Sequence, residues 1–102
     1  MADFKLLRYC LFLFACCALT ACAAAPVQEM SNARQAIRAA SDAGAERVAS
    51  QQITEARTLL ERAEASLQTR EYREAKRNAV AARGKAVEAL EAAQTTARQG
   101  TG

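Results

Sequence analysis

Three sets of side chains in this 102-residue chain are of chemical interest. The first is four cysteines, Cys10, Cys16, Cys17 and Cys22. Three of them lie within the apolar run Tyr9–Leu19, where a metal would find no hydrogen-bonded outer partners. The second is three acidic pairs: Glu61 with Glu64, Glu71 with Glu74, and Glu88 with Glu91. Paired-carboxylate hydrolysis needs two carboxyls facing each other across a cleft. Pairs three residues apart share one convex helix surface instead, and a solvated face is the plainer reading. The third set is basic: Arg70, Arg73, Lys76, Arg77, Arg83 and Lys85, against only Glu71 and Glu74. Arg73, Lys76, Arg77 and Arg83 fall on one side of a helix. Such a stripe suits anionic lipid headgroups or an anionic polymer such as peptidoglycan; a solubilising helix face is the alternative. No aromatic is interleaved among Arg73, Lys76, Arg77 and Arg83, so that stripe offers neither sugar nor base stacking. The chain has no His, hence no imidazole base, ligand or near-neutral switch. Ser31, Ser41 and Ser50 lack an activating partner and read as surface or capping groups. The expectation is a protein that is not an enzyme, with no catalytic residue, no metal and no cofactor.

The elements that carry these residues divide at Cys22. Lys5 and Arg8 precede the apolar run, and Leu19-Thr20-Ala21 precedes Cys22. A basic start, a short apolar stretch and small residues are the parts of a secretory signal. The run is too short for a bilayer, which takes about 20 residues. Leu19-Thr20-Ala21-Cys22 resembles the lipobox of bacterial lipoprotein precursors: an aliphatic residue, a small one, Ala or Gly, then Cys. The resemblance implies that Leu19, Thr20 and Ala21 are read by the signal peptidase. It also implies that the Cys22 thiol takes a diacylglycerol, that cleavage falls before Cys22, and that the new amino group is acylated. Ordinary cleavage at an Ala-x-Ala-like site, such as Ala21-Cys22-Ala23, is the rival. Residues 1–21 are thus expected to be a signal peptide and 22–26 the lipidated Cys with its tether. Several acyl chains anchor firmly where a single one holds marginally. Ala23 stands where, in that class, an Asp favours retention at the inner membrane, so the resemblance points to the outer membrane, periplasmic side. Only Cys22 would survive processing, leaving no disulfide partner within the chain.

The remaining 81 residues hold 12 basic and 10 acidic side chains, too balanced for a nucleic-acid arm. The whole chain contains 26 alanines, the strongest helix former and the smallest core residue. An all-α fold is expected. Met30, Ala33, Ile37 and Ala40 mark one face of a short helix over about 27–43, opened by Pro26 and stopped by Gly44. Residues 44–50 read as a connection with Ser50 as N-cap. Ile53, Ala56, Leu60, Ala63 and Leu67 give a 3-4 seam over about 51–68. Tyr72, Ala75, Ala79, Ala82, Ala86, Ala89, Ala93 and Thr96 continue it over about 71–98. Residues 99–102 read as a flexible tail. The two long segments are expected to fold back as an antiparallel hairpin with alanine-rich, coiled-coil-like packing, burying Leu67 and Tyr72 near the turn. One continuous helix over 51–98 in an oligomer is the alternative.

The pattern over residues 26–98 also resembles a family of short, uncharacterised alanine-rich envelope lipoproteins. That pattern has a first helix ending near Gly44-Ala45, then a helical hairpin with Tyr72 just past its turn. Members often carry a following OmpA-like domain, whereas this chain ends at Gly102. Arg70-Glu71 stands where a Gly-Asp turn is common. The resemblance brings no activity with it. The trimeric lipoprotein that ties outer membrane to cell wall ends in a Lys, whereas this chain ends Gln99-Gly100-Thr101-Gly102. The functional expectation is a lipid-anchored structural or adaptor module in the periplasm, meeting an envelope protein or peptidoglycan and no nucleic acid. A self-associating homo-oligomeric spacer is the alternative.

Overall fold

The computed structural model describes residues 2–22 and 25–100. Five helices follow in order: α1 Ala2–Cys22, α2 Val27–Asp42, α3 Ala45–Val48, α4 Ser50–Gln68 and α5 Tyr72–Gly100. The fold is all-α, and α4 and α5 form the long antiparallel hairpin. Residues 23–24 of the tether and 101–102 of the tail lie outside the described residues.

Three seams close one bundle. Met30, Ala33, Ile37 and Ala40 of α2 are all buried, as their spacing predicts. On α4, Ile53, Ala56 and Ala63 are buried, with Leu60 and Leu67 half-buried at the flanks. On α5 the six seam alanines, Ala75, Ala79, Ala82, Ala86, Ala89 and Ala93, are all buried. Ile37, Ala40, Ile53, Ala56, Ala86, Ala89 and Ala93 share one cluster, and Met30, Ala63 and Ala79 share the other. The end of α2 thus meets the start of α4, and the start of α2 meets the end of α4. The helices run up, down and up, with α2 parallel to α5. Among the described residues only Met30 and Ile53 are large and fully buried, so methyl groups fill most of the core and the helices can approach closely.

The bends differ from the sequence expectation. Gly44 ends α2 in the left-handed conformation at φ 89°, as predicted, and its N–H bonds to Ser41 O at 3.0 Å. The segment after it is not a plain connection: Ala45–Val48 makes a helical turn that buries Ala45. Ala49, not Ser50, is the N-cap of α4, because Ala49 turns into the core and its carbonyl takes the Ile53 N–H at 3.1 Å. Pro26 is the N-cap of α2, just ahead of Val27 where the sequence places the helix start, and its carbonyl accepts from Met30 N–H at 3.1 Å.

The hairpin turn is a Schellman motif. Arg70 N–H bonds to Leu67 O at 3.1 Å, and Glu71 N–H to Ser66 O at 2.8 Å, closing the last carbonyls of α4. Arg70 occupies the left-handed position, φ 63°, that glycine usually takes. Thr69 closes α4 rather than opening α5: its hydroxyl donates to Ser66 O at 3.1 Å. Tyr72 is 37% exposed rather than buried, since α5 begins at it, outside the crossing of the two helices. Thr96 is also exposed, because α5 outruns its neighbours. The helix continues through Gly100, so residues 99 and 100 are helical rather than tail, and 94–100 are exposed.

Candidate functional site

Leu19, Thr20, Ala21 and Cys22 form the last turn of α1 by backbone; their side chains lie outside the described residues. Among the described residues α1 makes no contact with another helix. Phe4, Leu6, Leu7, Tyr9, Leu11, Phe12, Leu13 and Phe14 are each 60% or more exposed, so residues 3–15 of α1 present apolar side chains that nothing covers among the described residues. Among the described residues no helix is long and apolar enough to cross a membrane.

The structure divides the basic stripe of α5. Lys76 reaches across to Glu29 of α2 at 3.9 Å. Arg77 pairs with Glu74 one turn back at 3.3 Å. Arg73 and Arg83 make no ion pair among the described residues. They stand ten residues apart, about 15 Å along the helix. Lys85 lies on the other flank of α5, where it meets Glu55 of α4 and Glu88, each at 3.5 Å. The Glu88 and Glu55 carboxylates raise its pKa. These pairs fix the sides of α5: the Lys76 flank faces α2 and the Lys85 flank faces α4. Val80, 55% exposed, sits on the solvent side between the arginines.

Each acidic pair from the sequence is broken up by a basic neighbour. Glu64 takes Arg34 of α2 at 3.3 Å, Glu74 takes Arg77 and Glu88 takes Lys85. The carboxylates point outward from convex surfaces and do not converge across a cleft. Among the described residues no three His, Cys, Asp or Glu gather to hold a metal. The hollow on α4 lined by Thr54, Glu55, Thr58, Leu59 and Arg62 draws all its walls from one helix and is open to solvent.

One polar cluster was not singled out from the sequence. Ser41 at the end of α2 donates to Glu46 Oε1 at 2.5 Å, and Arg57 of α4 donates to the same oxygen at 2.6 Å. These two bonds, the serine's first, push the Glu46 carboxyl down from its usual 4.5 to about 2. The cluster ties three helices across the Gly44 bend. Its only sequence signal is a Ser and a Glu flanking a helix-stopping glycine. Which Arg completes it depends on how the chain turns at Gly44.

The bundle built by α2 to α5 is the unit that comparison recognises. A family model, described as a domain of unknown function (DUF4398), matches residues 28–101. The chain belongs to the DUF4398 family. The match starts at the second residue of α2, so the DUF4398 domain is the bundle of α2 to α5 and α1 lies outside it. No curated protein and no solved structure matches the chain.

Proposed function

We propose that this chain is the precursor of a lipid-anchored envelope protein, held in the outer membrane through Cys22. Its DUF4398 bundle would act in the periplasm as a non-catalytic structural or adaptor module. The observation that carries this reading is the junction at Leu19-Thr20-Ala21-Cys22. On one side stands an apolar helix that touches no other helix among the described residues; on the other, a bundle that closes without it. The apolar core runs from Met30 to Ala93, so removal of residues 1–21 takes nothing from it. Lys5 and Arg8 ahead of a short apolar run fit a signal segment better than a stable span.

The bundle offers faces rather than a cleft, which favours partners met by surface contact, an envelope protein or peptidoglycan. The homo-oligomeric spacer has less support, because the seams of α4 and α5 are already occupied within one chain. The test is fatty-acid labelling with membrane fractionation, comparing the native chain with Cys22→Ser. Label in the outer membrane, lost on substitution, is expected. An unlabelled soluble product from the native chain would overturn the reading.

A further inference from the structure

The packing decides which end of the bundle lies nearest Cys22. Met30, in the first turn of α2, packs with Ala63 and Ala79, with Leu67 beside them. Glu29 pairs with Lys76, early in α5. The start of α2 is therefore at the end where α4 turns into α5. Pro26 is buried at that end. Cys22 precedes it by four residues, at most about 14 Å of chain.

That turn presents Arg70-Glu71-Tyr72-Arg73, all four exposed. Tyr72 is the only aromatic residue after Phe14, and the bundle leaves it out of its core at 37% exposure. Arg70 and Arg73 flank it and make no ion pair among the described residues, while the nearby Lys76 and Arg77 are neutralised by Glu29 and Glu74. Glu71 is the one acid within the turn. Guanidinium groups match phosphate oxygens in a fork, and a tyrosine ring suits the boundary between headgroup and acyl chain.

We propose that the α4–α5 turn, through Arg70, Tyr72 and Arg73, rests on anionic lipid headgroups and stands the bundle turn-down on the membrane. The inference rests on the Cys22 anchor. Once the chain is tethered, the contact is intramolecular and needs little intrinsic affinity. With the turn at the surface, α5 leads outward for roughly 43 Å and carries its exposed last turns, 94–100, away from the bilayer.

The test uses the full chain carrying Tyr9→Phe, so that Tyr72 is its only tyrosine whether or not residues 1–21 are removed. The protein is labelled with fatty acid, purified in detergent and placed on two kinds of vesicle: phosphatidylcholine alone, or an equal mixture with phosphatidylglycerol. Quenching of Tyr72 fluorescence by aqueous acrylamide is then read. Each arginine at an anionic surface contributes about fivefold to the turn-down population. Protection on the mixed vesicles is expected, and about 25-fold of that population should be lost in Arg70→Gly/Arg73→Gln. That variant removes both charges while easing the backbone at position 70, and circular dichroism checks its helices. A labelled, membrane-bound protein quenched equally on both vesicles would overturn the turn contact and leave the anchor standing. Protection retained by the double variant would overturn it too. An unlabelled chain that never reaches the membrane would defeat the anchor itself.

Discussion

Arg70 and Gly44 hold the same left-handed backbone conformation at two bends of one chain, and substitution at each should act in opposite directions. An L-residue there costs about 1–2 kcal/mol, which Arg70 bears and glycine does not. Arg70→Gly should therefore raise the unfolding free energy, read from urea titration, by about 0.5–1 kcal/mol, after the entropy of an added glycine is counted. Gly44→Ala should lower it by about 1 kcal/mol. A Cβ at Gly44 meets nothing within 4 Å, so the loss would come from the backbone angle alone. Equal midpoints for wild type and Arg70→Gly would mean that the side chain is held by something outside the bundle. Glu46 carries the pH prediction. Its carboxyl is depressed in the folded chain by Ser41 and Arg57, so its contribution is present above the unfolded value near 4.5. That contribution fades as pH falls toward about 2. Acid unfolding followed by circular dichroism should show a shallower loss over that window for Glu46→Gln than for wild type. Parallel curves would show that the Ser41–Glu46–Arg57 bonds do not persist in solution.

Among the elements, α5 carries the clearest sequence record. Six alanines in strict 3-4 order face inward, and the order alone located them. The same rule overreached at both ends, to Tyr72 and Thr96. Periodicity reports which side of a helix faces inward but not how far the neighbouring helix extends. The turn of α3 was illegible for a different reason. Four residues are too few for a period, and Ala45 is buried only because Gly44 swings it under α5. The alanine seam sets the next expectation. Ala86 lies in the cluster with Ile53 and Ala56 and has no exposed surface. Ala86→Leu should destabilise by about 1–3 kcal/mol, since the added atoms would wedge closely approached backbones apart. Alanine-to-serine at the exposed position 81 should be near neutral and serves as the control. A stabilised Ala86→Leu chain, measured by thermal melting, would mean that the seam is loose rather than close-packed.

For the whole molecule, the sequence pattern allowed two arrangements of the same seams: a hairpin within one chain or one long helix paired between chains. No residue between Gln68 and Tyr72 is a glycine or a proline, so the turn was legible only as a polar interruption. The Schellman bonds through Arg70 and Glu71 show how an ordinary residue closes it. The role of α2 was equally hidden, because a short amphipathic helix does not say which groove it fills. Its four buried residues cover the remaining open side of the hairpin. The site residues were legible in kind and not in pairing: the basic stripe is on α5, but Glu29 reaches it from a helix 47 residues earlier in the chain. This closure bears on the assembly state. With each seam facing another within the chain, the exposed large apolar residues of α2 to α5 are Val27, Val48, Tyr72 and Val80, scattered singly rather than as a stripe. A coiled-coil partner would have to displace α2 from both core clusters to gain a seam of its own. Residues 22–102 carrying Cys22→Ser should therefore sediment as a monomer across a wide concentration range. Trimeric or larger species at low concentration would favour the spacer, with the seams shared between chains.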